Sequence, residues 1–280
     1  MKRTFALLGG DTRQTCLARL IAEDGHQVIT WGVPDCDAGA LKETAEAQCV
    51  LLPLPLSRER GMLNCTKETL ALAQLWRVLT PSQLICAGQA GPEAIQGAKE
   101  QGLELEDYFL REELTVINAV ATAEGALQLA MEHLPVTLWG TECIVIGYGR
   151  IGKLLARRLR GLGASVTVAA RSYAARSWAL ADGMKAISTE DLTGKLRNPR
   201  LIFNTAPSLI LNRGLLRQLP PKCLCIDLAS RQGIDGAAAE ELGIPFLWAR
   251  GLPGKAAPET AAAAIRDAVY HILEERGETV

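Results

Sequence analysis

Gly147, Gly149 and Gly152 stand at G-x-G-x-x-G spacing between the apolar run Ile144-Val-Ile146 and the helix-patterned segment Lys153-Leu-Leu-Ala-Arg-Arg-Leu-Arg-Gly-Leu162. Strand, glycine turn and helix, in that order, form the context in which this spacing cradles a pyrophosphate. Gly147 permits the sharp turn, Gly149 leaves no Cβ in the path of the phosphates, and Gly152 lets the helix lie close on the strand. Arg150, Ile151 and Gly152 then open the helix, whose free N–H groups and dipole favour negative charge. The next strand pattern, Ser165-Val-Thr-Val-Ala169, ends in Ala170-Arg171-Ser172. A site for NAD carries Asp or Glu about 20 residues past the glycines, on the ribose hydroxyls. Here Arg171, Ser172 and, one turn on, Arg176 take that place, and no carboxylate occurs between Gly163 and Ala181. Guanidinium groups suit a 2′-phosphate. The pattern points to NADP, with NAD open as the alternative if Arg171 stacks on adenine instead.

Two further loops follow apolar strands of the same half, Asn204-Thr205-Ala206-Pro207 and Asp227-Leu228-Ala229-Ser230-Arg231. Loops at these strand ends face the crevice that holds the cofactor. Small residues admit a ribose, and Arg231 offers a clamp for a carboxylate. In Leu252-Pro253-Gly254-Lys255, the Pro-Gly pair is expected to form a turn that brings Lys255 to a helix N-terminus, a second place for an anion. In the first half, Gly10-Asp11-Thr12-Arg13 is a charged loop at a strand end. Arg111, Asn118, Thr122 and Glu124 are candidates for the same cleft.

These residues need strands that end where the loops begin. Phe5–Gly10, 28–31, 47–55, 84–88 and 103–108 read as strands, with helical patterns at 38–46, 67–79 and 92–101 between them. The second half continues with strand patterns at 201–205, 223–227 and 246–249. Alternation of this kind implies right-handed crossovers and parallel sheets. The expected fold is α/β, with two doubly wound parallel-sheet domains joined by a long helix, the second a Rossmann NAD(P)-binding domain. Its parts are a flavodoxin-like substrate domain over 1–116, a linking helix over 117–139, the Rossmann domain over 140–256, and a C-terminal helix over 257–280 that packs back on the first domain.

The chain has 280 residues, is 48% hydrophobic and 22% charged, and has a net charge of −1. That balance argues against nucleic-acid or membrane-surface binding. No apolar run reads as long enough to span a bilayer. Met1-Lys-Arg-Thr runs straight into Phe5-Ala-Leu-Leu8 with no h-region, so a cytoplasmic protein is expected. The 8 cysteines contain no C-x-x-C pair and the 3 histidines are far apart. No metal site is expected, and the cysteines read as small buried hydrophobes.

Gly9-Gly-Asp11-x-Arg13, Pro53-Leu-Pro55, Asn118-Ala-x-Ala-Thr-Ala-Glu124-Gly125 and Gly147-Tyr-Gly-Arg-Ile-Gly152 occur in that order. Ala170-Arg-Ser172, Asn204-Thr-x-Pro207, Asp227-Leu-Ala-Ser230 and Leu252-Pro-Gly-Lys-x-Ala-Pro258 follow. In this order and spacing, nearly the whole chain resembles the A-subunit family of dipicolinate synthase from spore-forming Firmicutes. The resemblance implies oxidation of dihydrodipicolinate, or its hydrated precursor, on a branch of the lysine pathway in the mother cell during sporulation. It also implies a flavoprotein-like partner, the B subunit, and two-domain folds of this kind often form homo-oligomers. Aromatising a dihydropyridine by hydride loss is downhill, so the enzyme mainly positions a small dicarboxylate. Gly10, Arg13, Thr122, Arg231 and Lys255 are the candidates for holding it. A proton must leave as well, and Asp11, Glu124 and Asp227 are the carboxylates placed to take it. Abundant Ala and Arg and several cysteines depart from the family pattern but touch none of these motifs. The rival readings are another two-domain NAD(P)-dependent dehydrogenase of amino or hydroxy acids, and a non-catalytic NADP-binding regulator. A hydroxy-acid enzyme needs a late catalytic histidine, and His271 beside Tyr270 in the last helix pattern is the only late one.

Overall fold

The structure, a computed structural model, describes residues 2–37 and 39–278. It divides into two compact units, Met1–Asn118 with Ala257–Val280, and Ala119–Ala256.

The first unit is built on β1 (Thr4–Leu8), β2 (Gln27–Trp31), β3 (Cys49–Leu51), β4 (Leu84–Ala87) and β5 (Leu105–Asp107). All neighbours are parallel, in the order β2-β1-β3-β4-β5. The central strands are apolar at successive residues because both faces are covered. Phe5, Leu7, Cys49, Leu51, Leu84 and Cys86 point into one core, and Ala6, Leu8, Val50, Leu52, Ile85 and Ala87 into the other. The period of two sorts them. Helices α1 (Thr12–Glu23), α2 (Leu72–Val78) and α3 (Pro92–Glu100) make the crossovers, and α4 (Glu112–His133) follows.

The second unit carries β6 (Glu142–Ile146), α5 (Arg150–Gly161), β7 (Ser165–Ala169), α6 (Tyr173–Ala181), β8 (Lys185–Ile187), β9 (Leu201–Asn204), α7 (Arg213–Leu216), β10 (Leu224–Asp227), α8 (Gly236–Glu241), β11 (Phe246–Trp248) and α9 (Leu252–Ala256). Its strand order is β11-β10-β9-β6-β7-β8, again parallel. This is the 3-2-1-4-5-6 order of a dinucleotide-binding sheet, and β2-β1-β3-β4-β5 is the flavodoxin order. The fold class expected from the strand and helix patterns is therefore the observed one.

The last helix, α10 (Pro258–Glu275), belongs to the first unit. Ile265, Val269, Ile272 and Leu273 are at most 3% exposed and join the core that α1 covers. Each is worth about 1.5–3 kcal/mol of burial, so together they approach the whole net stability of an ordinary domain. Arg19 pairs with Glu259 at 2.7 Å, and Tyr270 donates to Asp24 at 2.9 Å along the same seam.

Several local expectations are corrected. The expected helix over 38–46 is a 3₁₀ turn, Leu41–Glu46, and Ala38 lies outside the described residues. The helix pattern at 67–79 is helical only over Leu72–Val78. α4 starts at Glu112, before Asn118, where Glu112 and Glu113 complement the helix dipole. Pro253-Gly254 makes no separate turn but lies within α9. The edge strand β8 is short and half exposed, with no apolar run to announce it. Among the described residues one apolar segment is in fact long enough to cross a bilayer: α4 has 22 residues and a window of mean hydropathy 1.3. More than half of that window is buried, with Ala123, Ala126, Leu127 and Ala130 in the core of the second unit, which is how a core helix reads.

Candidate active site

The glycine loop is shaped by what surrounds it. β6 pairs with β9 so that Ile146 lies opposite Asn204, which brings Gly147 beside Thr205. Thr205 donates from N and from Oγ1 to the Ile146 carbonyl, at 2.8 and 2.9 Å. Gly147 has φ +92°, and a Cβ on it would lie 2.3 Å from Thr205 Oγ1. A Cβ on Gly152 would lie 2.3 Å from the Gly147 carbonyl oxygen. These two glycines are demanded by packing. Gly149 differs: its φ is −83° and a Cβ there would meet nothing within 4 Å. That open volume lies at the N-cap of α5, where no side chain caps the helix and no acidic residue occupies the first turn. A helix N-terminus with no capping side chain and an open approach suits a pyrophosphate.

Tyr148, inside the motif, braces the loop. It is buried, and its hydroxyl donates to Asp182. Arg157 grips the same carboxylate at 2.9 Å. The Tyr148 hydrogen bond, together with the hydrogen bond and charge of Arg157, holds Asp182 below the ordinary carboxylate range. Asp182 is 34 residues away in the chain, and nothing local marks the pair.

At the end of β7, Arg171 is exposed and its side chain has no ion pair among the described residues. Ser172 caps α6, accepting from Ala175 N at 3.2 Å. Arg176 donates to the carbonyls of Ala170 and Arg171 at 2.8 and 2.7 Å and stacks on Tyr173, 4.4 Å from the ring centre. Arg176 therefore shapes the turn, and Arg171 is the open cation. A cavity of about 680 Å³ adjoins Arg176, lined also by Ser188, Lys195, Glu190 and Asp191.

Asp227 is sealed. It exposes none of its surface and accepts from Asn204 Nδ2, Ala229 N, Gly233 N and Ile234 N at 2.7–3.0 Å. Asn204 in turn holds Ala206 through its N and O. One carboxylate thus fixes both loops, Thr205-Ala206-Pro207 and Leu228-Ala229, and leaves Arg231 exposed on the second. Expected as a candidate base, Asp227 has no lone pair facing solvent to receive a proton, and its work is positional.

Glu124 is also displaced from the expected role. It is exposed on α4 and pairs with Arg158 of α5 at 3.0 Å. Arg158 is two turns past the glycine loop, about 12 Å along the helix. Thr122 is buried in the same helix. Lys255 is exposed near the end of α9.

In the first unit, Gly9 and Gly10 have φ +61° and +91°, and Gly10 N donates to Asn64 O at 2.7 Å. Asp11 caps α1 and takes two bonds from Arg13, Nε at 2.9 Å and Nη2 at 2.7 Å. Arg13 is 7% exposed and also donates to the Leu54 carbonyl. Burial pushes the Asp11 carboxyl up, but the hydrogen bonds and charge of Arg13, with Arg58 at 3.7 Å, outweigh it and hold it below the ordinary range. Arg13 thus spends its fork on Asp11 and cannot offer both prongs to a ligand.

Thiols and late histidines drop out. Burial pushes Cys49 and Cys143 up to about 12, far from nucleophilic. His271 stands on α10, half-exposed, 3.6 Å from Glu113.

Similarity to known proteins extends over nearly the whole chain. The family model for the N-terminal domain of the dipicolinate synthase A subunit matches residues 4–109, and that for shikimate/quinate 5-dehydrogenase matches residues 128–243. Over 97% of this chain and 96% of the relative, the sequence is 31% identical to the dipicolinate synthase A subunit of Bacillus subtilis (strain 168). The crystal structure of the A subunit from Bacillus halodurans superposes with a TM-score of 0.88 at 27% identity, covering 97% of each chain. That of the Bacillus subtilis protein gives 0.86 at 30% identity, over 98% of this chain and 97% of the other.

Proposed function

The chain belongs to the A-subunit family of dipicolinate synthase and has a dehydrogenase fold, and from that premise we propose that it oxidises dihydrodipicolinate, or its hydrated precursor, to dipicolinate, with NADP⁺ taking the hydride. The reading includes a flavoprotein-like partner, the B subunit, with the mother-cell cytoplasm of a sporulating cell as the setting. The observation that carries the cofactor assignment is Arg171 at the end of β7, exposed and without an ion pair among the described residues. It stands where a ribose-binding carboxylate would, in the same unit as the open volume over Gly149. Bound there, NADP⁺ supplies the hydride acceptor. The protein's residues do the rest. The N-terminal turn of α5 holds the pyrophosphate, and Arg171 holds the 2′-phosphate. Asp227, through Asn204 and Ala229, keeps the nicotinamide-side loops in place.

The substrate is a dianion, and Arg231 and Lys255 are the exposed cations of the second unit proposed to hold a carboxylate, with Thr122 in the same unit; Gly10 and Arg13 are the first unit's own candidates. Hydride and proton leave together in balance: dihydrodipicolinate and NADP⁺ give dipicolinate, NADPH and one proton. Aromatisation makes the departing ring proton acidic, so a carboxylate with a low pKa suffices to take it. Asp11 is the candidate of the three carboxylates that lies at a strand end and keeps some of its surface, 27% of the side chain, open.

The test supplies precursor made in situ, NADP⁺ and the cognate B subunit, then follows the ultraviolet absorbance of the pyridine product. Arg171→Asp should shift the preference toward NAD⁺ by the ~1.5–3 kcal/mol of charge-assisted bonds to a phosphate. No aromatic product with either cofactor would refute the reaction; equal NADPH and NADH affinities, unmoved by Arg171→Asp, would refute the cofactor assignment.

A further inference from the structure

Gln89 occupies a backbone conformation that a glycine would adopt more readily. Its φ is +56°, in the left-handed region, two residues past the end of β4. A long unbranched side chain is uncommon there and costs of the order of 1 kcal/mol of strain. The conformation is held from outside. Asp107 accepts from Gln89 N, Ala90 N and Phe109 N, each at 2.9 Å. Gly88, one residue earlier, donates to the Pro53 carbonyl at 3.2 Å and accepts from Leu56 N at 2.7 Å. A Cβ on Gly88 would lie 2.6 Å from the Tyr108 ring and 2.7 Å from Leu54. The segment cannot relax by shifting.

The same loop, Pro53 to Leu56, reaches the charged end of β1, because Arg13 donates to the Leu54 carbonyl and binds Asp11. Gln89 is therefore rigidly joined, through three hydrogen-bonded loops, to the strand ends where β1 and β3 diverge. In a β2-β1-β3-β4-β5 sheet that divergence is the ligand-binding point. The Gln89 side chain is exposed, and its amide makes no hydrogen bond among the described residues. Backbone strain is thus maintained around a side chain that does nothing for the fold.

We propose that Gln89 is a specificity-determining residue whose side-chain amide donates to one carboxylate of the pyridine dicarboxylate at the strand ends of the first unit, an inference that rests on the substrate reading above. An amide suits this place. Arg13 is already committed to Asp11, and a further full charge next to that pair would disturb it, whereas a neutral N–H donor adds a bond to a carboxylate without altering the balance of charge.

The experiment uses the full chain saturated with NADP⁺, the Gln89→Gly variant, and titration calorimetry with two probes, pyridine-2,6-dicarboxylate and pyridine-2-carboxylate. Glycine removes the amide and relieves the strain, so the variant should melt at the wild-type temperature or above it. The dicarboxylate should bind about ten- to a hundredfold more weakly, the range of one hydrogen bond to a charged group. The monocarboxylate should bind nearly as in the wild type, so that discrimination between the probes collapses while NADPH affinity stays unchanged. A purely structural role would weaken both probes alike, and that result overturns the proposal. So does undiminished dicarboxylate binding in a folded Gln89→Gly protein, or a variant that melts lower than wild type. If wild-type protein binds neither probe, the substrate reading itself has failed, and Gln89 with it.

Discussion

Replacing Asp227 by asparagine separates a carboxylate that holds loops from one that moves protons. Oδ1 accepts from Asn204 Nδ2 at 2.9 Å and Ala229 N at 3.0 Å, and Oδ2 from Gly233 N at 2.7 Å and Ile234 N at 3.0 Å. An asparagine has one oxygen to give. Whichever pair it serves, its NH₂ group faces two N–H donors across the other. Asn204 offers no escape, because its own oxygen already accepts from Ala206 N at 3.2 Å. Two buried donors lose their acceptor at about 1–3 kcal/mol each, or about 2–6 kcal/mol together. In a chain of this size each kcal/mol lowers Tm by about 2–4 °C, so Asp227→Asn should melt roughly 4–24 °C lower. NADPH binding should weaken in parallel, since Thr205-Ala206-Pro207 and Leu228-Ala229 loosen together. Thermal unfolding followed by circular dichroism, with NADPH titration below the transition, measures both. The reasoning is refuted by a variant that keeps its Tm and cofactor affinity yet loses turnover, which would return Asp227 to the role of a base.

Three other substitutions probe the remaining groups. Gly149→Val should fold with nearly wild-type stability and lose cofactor affinity, because its side chain enters the open approach; Gly152→Val should instead lose about 3 kcal/mol or more by driving Cβ into the Gly147 carbonyl, and equal Tm losses in the two would count against this division of labour. Asp11→Asn strands Arg13, which is 7% exposed, and should cost about 2–4 kcal/mol, below the ~3–5 of a fully sealed pair because Asp11 keeps some exposure. Since the folded pKa of Asp11 lies below its unfolded value, its contribution is present above the ordinary carboxylate range and is lost as pH falls through the lower folded value. Wild-type stability should therefore drop more steeply than that of Asp11→Asn below about pH 4, and parallel acid-unfolding curves would exclude the linkage.

The parts of this protein legible in its sequence are those decided by neighbours in the chain. G-x-G-x-x-G between an apolar run and a helix pattern, the missing carboxylate around Arg171, and strands alternating with helices each follow from local conformational and burial rules. They specify two parallel sheets and the cofactor cradle, because a turn of three glycines needs only the strand before it and the helix after it. Chain order likewise carries the family resemblance. What the tertiary structure decided is which polar groups remain free. Asp227, Glu124 and Asp11 look alike in the sequence. Only the fold gives Asp227 four donors, Glu124 the distant Arg158, and Asp11 the buried Arg13. The same holds for Arg176, tied to its own turn, against Arg171, left open. Gln89 was invisible to pattern because its left-handed backbone is imposed by Asp107, 18 residues later. Whether a side chain can act depends on which hydrogen bonds it has already made, and those partners come from strands and helices remote in sequence.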